Sequence, residues 1–345
     1  MKSTTTDTHS PAAALLKYGI PLVISVGLCW LLFRDFDFAD MWHVIRTECR
    51  FGWIATGLVI AVFSHIFRAM RWRIQLRALG IEAPLFALIL SIFGTYAVNL
   101  VFPRLGEVWR TGYIARRQHA SFTEVFGSMV ADRLADTVTV ALLTLLALVV
   151  ASSTMVDYLM QNEALYRSVI DFISSPLLWI GIAIAVAAVW FILLRASDSK
   201  PIIKLKSLAR NLWHGFSVVL TMPGRGRWLL LTVCIWGCFF GQMVVAFYGF
   251  GFTADVISNH GLSAVLVTFV LSSISMGVPS NGGIGPWQWA VIFGLGIYGV
   301  DAAHAGAFAN LVLGCNTLLL IALGLFTFAS IAVERKQNTS ETLKQ

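Results

Sequence analysis

Charge is scarce in this chain. Only 12% of its 345 residues are Asp, Glu, Lys or Arg, about half the share found in soluble domains. With 57% hydrophobic residues and a mean hydropathy of +0.77, that shortage excludes an ordinary soluble fold. Cysteine is sparse too: Cys29, Cys49, Cys234, Cys238 and Cys315 lie mostly inside apolar stretches, which excludes a disulfide scaffold. Cys234 and Cys238 read as small packing residues, not a redox pair. The seven histidines are scattered singly, so neither a metal centre nor another cofactor is expected. A phosphate-binding P-loop is also missing, so any energy input must come from a gradient, a partner or mass action. The apolar run from Tyr18 to Phe33 ends without a small-x-small cleavage site and reads as a retained helix.

What the chain does have is long apolar runs, near 17–33, 51–70, 84–102, 128–151, 176–194, 228–250, 262–278, 286–300 and 305–332. Several approach the ~20 residues that cross a bilayer. Trp30, Trp53, Trp72, Trp179 and Trp228 stand near run ends, as in an interfacial aromatic belt.

The net charge of +7 is segregated. Arg71, Arg73 and Arg77 follow one run; Arg104, Arg110, Arg116 and Arg117 follow the next. Seven Lys/Arg against Asp198 fill 195–227, whereas 34–50, 151–175 and 251–261 are acid-rich or carry little positive charge. The positive-inside rule assigns the first group to the cytoplasm and the second to the outside. Both flanks of run 84–102 then want the cytoplasm, which a single crossing cannot satisfy. A re-entrant segment can, provided its irregular backbone is buried or lines a wet cavity. The pair 262–278 and 286–300, with Asp255 and Asp301 outside, predicts a second hairpin entering from the opposite face.

The expected fold is therefore an all-α polytopic membrane protein: about six full spans plus two re-entrant hairpins in an inverted-topology repeat. Both termini are cytoplasmic and the setting is the cell (inner) membrane. A single membrane domain is read, with a tail at 1–16, repeats at 17–151 and 176–333, and a second tail at 334–345.

Four polar constellations stand out. In VFPRLGEVWR (101–110), Pro103 removes a backbone donor and breaks a helix, and Gly106 permits a tight bend. Arg104, Glu107 and Arg110 then project from the break. Flanking arginines often touch lipid phosphate nonspecifically, but Glu107 contributes nothing to orientation and is costly near the membrane unless paired. DRLAD (132–136) puts Arg133 and Asp136 on one helix face, as an entrance ion pair or as part of a site. RAMRWR (68–73) aligns Arg68 with Arg71, as a snorkelling collar or as ligands. PSNGGIGPWQ (279–288) is too rich in Gly and Pro for a continuous helix. Pro279 and Gly285 would hinge it, with Asn281, Gly282, Gly283 and Gln288 along a packing turn or an anion-holding half-helix start. The basic segment 200–222 reads as an inner-leaflet anchor.

Together RAMRWR, PRLGE with Arg110, DRLAD and PSNGGIG resemble, in order and spacing, the transmembrane region of lysylphosphatidylglycerol synthases and their flippase-like relatives, over about residues 15–333. Gln288 stands where that family's glutamate is expected. The resemblance implies a domain that moves lipids or lipid-linked groups between leaflets. The aminoacyl-transfer domain of the full synthases is absent, which implies that this chain does not itself make the lipid and is not an enzyme. Partners would be membrane phospholipids or a lipid-linked substrate, and an envelope lipid-synthesis enzyme, with no nucleic acid. On this expectation Arg104, Arg110 and Arg133 bind head-group phosphate, while Glu107 and Asp136 orient them or bind an amine. Two rival readings are a membrane-embedded enzyme acting on a lipid phosphate and an envelope scaffold.

Overall fold

Apolar runs in a low-dielectric setting must satisfy their own backbone groups, and helices do so. The computed structural model describes residues 38–161, 163–177, 221–278 and 280–342, with scattered positions between 179 and 190. Among these, regular structure is helical throughout, without a strand. The chain divides into two units: Met1–Phe126 with Gly226–Gln345, and Gly127–Arg225.

The first unit begins with α1 (Phe38–Glu48) and α2 (Phe51–Ala78), followed by α3 (Leu85–Val101) and α4 (Leu105–Arg117). Its later part contains α8 (Arg225–Phe247), α9 (Gly251–His260), α10 (Leu262–Ser275), α11 (Pro286–Gly296) and α12 (Ala302–Thr342). Between them, α5 (Phe122–Val150) runs on into the second unit, which holds α6 (Ser152–Gln161) and α7 (Glu163–Ser174). An ion pair between Arg167 and Glu163 clips the start of α7.

Helices α2, α5, α8 and the Ala302–Glu334 part of α12 are long and apolar enough to cross a membrane. A fifth span is reached if α9 and α10, bent by 114° at Gly261, count as one. The expected first run (17–33), much of 176–194, the 200–220 part of the basic anchor, and Pro279 lie outside the described residues. One boundary needs correction. The arginines at 71–77 read as a cytoplasmic loop, yet α2 continues unbroken through Arg77 to Ala78.

Helix α2 explains that continuation. Ser64, His65, Arg68, Arg71 and Gln75 recur at helical spacing and are all buried, whereas Val59, Phe63 and Met70 are exposed. This is an inside-out amphipathic helix, with its polar stripe turned to the bundle interior as membrane bundles require. Trp72 and Leu76 pack with Leu88 and Ile92 of α3 and Ile114 of α4 in one apolar core.

Two helical hairpins complete the unit. Helix α4 folds back along α3 so tightly that a Cβ on Gly106 would collide with the Thr95 carbonyl, and one on Gly94 with the Trp109 ring. Helix α11 folds back along α10 in the same way, and a Cβ on Gly294 would lie 3.0 Å from Thr268. Helix α12 packs along both hairpins. Its Thr327 hydroxyl donates to the Leu90 carbonyl at 3.4 Å, and its Phe308 meets Phe247 edge-on at 5.3 Å.

Candidate functional site

Pro103 falls in the break between α3 and α4. Arg104 turns the chain in the left-handed region, with φ of 65°, a conformation that is costly outside glycine. Side-chain amides anchor the turn. The Asn99 Oδ1 accepts from the Gly106 backbone N–H at 2.8 Å, and the Asn99 Nδ2 donates to Glu107 at 3.4 Å. Thr111 donates to the Glu107 carbonyl at 2.8 Å.

The second hairpin uses the same device. Gln288 Oε1 accepts from the Gly285 N–H at 2.9 Å, and its Nε2 donates to Asn310 of α12. Gly282, Gly283 and Gly285 all have positive φ, which lets the turn close where a Cβ would cost. Asn281 is half-buried beside them. The amide of Gly285, expected as a hinge, is therefore engaged by Gln288, one of the residues expected to line an anion-holding turn.

The two hairpin tips meet. Arg104 donates from Nη2 to the Gly277 carbonyl at 2.8 Å, and a Cβ on Gly282 would lie 2.5 Å from Leu100. Arg104 is exposed at this junction, while Arg110, about 9 Å further along the helix at 1.5 Å per residue, is fully buried. The sequence grouped these arginines together; the fold gives them different surroundings.

Arg110 lies in a second constellation. Its guanidinium stacks over Trp72 at 4.4 Å. On the same helix as Trp72, Arg71 stacks over Trp228 at 5.5 Å and donates to the Thr232 hydroxyl at 3.3 Å. Arg68 faces Phe239 at 5.6 Å. All three arginines are 3% exposed or less. Stacking on aromatic faces suits guanidinium, which is weakly hydrated and planar. One turn on, Gln75 is 3% exposed, and neither polar atom of its amide has a hydrogen-bond partner among the described residues. Buried amides without partners are uncommon and need explaining. Among the described residues, no group of three His, Cys, Asp or Glu is arranged to hold a metal.

Within the second unit, Asp132 is fully buried and Asp136 nearly so. Arg133 pairs with Asp136 at 3.7 Å across one helical turn, the spacing read from DRLAD.

Sequence reasoning missed Gln75, Asn99, Thr232 and Asn310. Gln75 was within reach, because 64, 68, 71 and 75 form a polar stripe with helical period in an otherwise apolar run. Asn99 acts across the helix break, and Thr232 and Asn310 act across 161 and 22 positions in sequence, which no local pattern encodes.

Buried guanidinium groups, paired hairpins and several long apolar helices define a multi-pass membrane protein built around a polar interior. The family described as lysylphosphatidylglycerol synthase TM region matches residues 19–324, and the chain belongs to that family. No curated protein matches the chain.

Proposed function

We propose that this protein is a lipid flippase-like transporter that moves a phospholipid or lipid-linked head group between leaflets without covalent chemistry. The observation that carries this reading is the burial of Arg68, Arg71 and Arg110 beside Trp72, Trp228 and Phe239. A charge inside a membrane costs at least ~2.5–3.5 kcal/mol by insertion scales, so intramembrane arginines mark functional paths. A guanidinium fork matches phosphate geometry, and Gln75 adds hydrogen-bonding capacity one turn away.

The hairpins supply the path. Helices α3, α4, α10 and α11 have 17, 13, 14 and 11 residues, roughly 26, 20, 21 and 17 Å at 1.5 Å per residue. Each is shorter than the ~30 Å hydrocarbon core. Hairpins of such short arms suit re-entry from opposite faces, with tips that touch midway at Arg104–Gly277. That arrangement suits an inverted repeat like those of alternating-access transporters, in an inner-membrane protein with cytoplasmic termini. Both polar atoms of the uncharged Gln288 are engaged at its turn, so this reading assigns it no proton-coupling role. Membrane phospholipids are the partners, and an envelope enzyme that makes the lipid would supply the cargo.

Native mass spectrometry of the purified protein tests the ligand class. The expected result is a co-purified anionic lipid whose occupancy falls at least tenfold in Arg71→Gln and Arg110→Gln. Equal occupancy in wild type and variants that remain folded would overturn the assignment of those arginines.

A further inference from the structure

A groove of about 1130 Å³ runs between α4 and the far end of α12, on the side of α4 away from its core-facing Ile114. Its composition changes along its length. Val108, Trp109 and Gly112 form the apolar end on α4, with Phe328 opposite on α12. Trp109 stacks on Tyr113 at 5.5 Å with an interplanar angle of 7°, and Phe328 closes on Trp109 edge-first at 5.6 Å. Arg116, Arg117 and Glu334 form the charged end, which lies two turns from Val108, about 12 Å. Glu334 accepts both Arg117 hydrogen bonds, at 2.6 and 3.1 Å, so that pair is internally neutralised. Arg116 is exposed at the same rim and makes no ion pair among the described residues.

Gly112 supplies an independent observation. Glycine in mid-helix costs stability relative to alanine and is usually explained by close packing. Here a Cβ would meet nothing within 4 Å. The missing side chain therefore leaves the groove floor open where α4 faces α12, instead of admitting a neighbour.

We infer that this groove is a binding site for one anionic phospholipid of the surrounding leaflet, with an acyl chain lying over Gly112 and against the Trp109–Phe328 pair and the phosphate at Arg116. The charged-to-apolar gradient matches the amphipathy of a lipid. Trp109 and Tyr113 are of the two residue types that favour the membrane interface. The volume exceeds the ~300–1,000 Å³ of pockets for drug-sized ligands, as a long acyl chain with part of a head group requires. The groove is separate from the buried arginines and does not depend on the transport reading.

Photo-crosslinking tests it. Full-length protein in nanodiscs receives phosphatidylglycerol carrying a diazirine in one acyl chain, or the phosphatidylcholine equivalent, and adducts are mapped by peptide mass spectrometry. Adducts are expected on 105–122 and 325–334. Gly112→Phe, which fills the groove, should lower their yield at least tenfold, while Gly112→Ala retains most of it. Arg116→Gln should reduce the preference for phosphatidylglycerol over phosphatidylcholine severalfold. Wild-type adducts distributed elsewhere, with none on those two segments, would overturn the site even if Gly112→Phe fails to fold. Unchanged yield in folded Gly112→Phe would do the same. Leaflet exchange without these adducts would sink the groove alone; adducts without exchange would sink only the transport reading.

Discussion

A buried arginine is held by shape as much as by charge. Arg110 lies flat over Trp72 at 4.4 Å, and Arg71 combines stacking on Trp228 with a bond to Thr232. Lysine carries the same charge as a compact, strongly hydrated ammonium that can neither stack nor present a planar fork. Arg110→Lys is therefore expected to behave like Arg110→Gln, losing about tenfold or more in lipid occupancy by native mass spectrometry. Rescue of full occupancy by lysine would mean that charge alone suffices. Gly106 is the complementary case, defined by what it omits. A methyl group there collides with the Thr95 carbonyl, and backbone has little room to yield. Gly106→Ala should cost about 1–3 kcal/mol, the usual penalty of overpacking, seen as a lower melting temperature in detergent.

At the scale of elements, helix ends carry testable chemistry. Helix α12 begins at Asp301, whose carboxylate accepts from the backbone N–H groups of Ala303 at 3.0 Å and His304 at 3.2 Å. Partial burial works to raise the Asp301 pKa, but the His304 amide, the His304 imidazole and the Ala303 amide outweigh it and hold the carboxyl below its ordinary value. Removing such a cap typically costs ~1 kcal/mol, so Asp301→Ala should unfold more readily by that amount in denaturant. A depressed folded-state pKa gives stability that is present above the unfolded value of 3.8 and is lost as pH falls through the lower folded value. The difference between wild type and Asp301→Ala should persist down to pH 5 and shrink only below pH ~3.8. A difference that already vanishes at pH 5 would contradict the cap.

How legible these elements were depended on the range of the signal. Pro103 marked the break between α3 and α4 because proline breaks helices locally. Gly282, Gly283 and Gly285 marked the other turn because their composition admits little else. Arg71, Arg73 and Arg77 misled, because charge density suggests a loop when the burial of Arg71 against Trp228 is not visible. The 114° bend at Gly261 also carried no strong signal, since one glycine within an apolar stretch is common.

At the scale of the whole molecule, two short hairpins touch at their tips through Arg104 and Gly277, residues 173 positions apart. No local pattern reveals that contact, although proline and glycine did mark the two turns. If the tips form the closed midpoint of a lipid path, Arg104→Ala removes the bond between them without touching the buried arginines. Leaflet exchange should then quicken severalfold with lipid occupancy unchanged; a loss of occupancy would instead make Arg104 a ligand. The central claim is that the buried arginines carry a lipid head group across. Its most direct test is exchange of fluorescent phosphatidylglycerol in proteoliposomes, read by dithionite quenching of the outer leaflet. Wild type should exchange lipid at least tenfold faster than protein-free vesicles, and Arg71→Gln and Arg110→Gln should return it to the protein-free rate while remaining folded. Exchange by folded wild type no faster than bare vesicles, for phosphatidylglycerol and for other anionic and lipid-linked cargoes, would contradict the account.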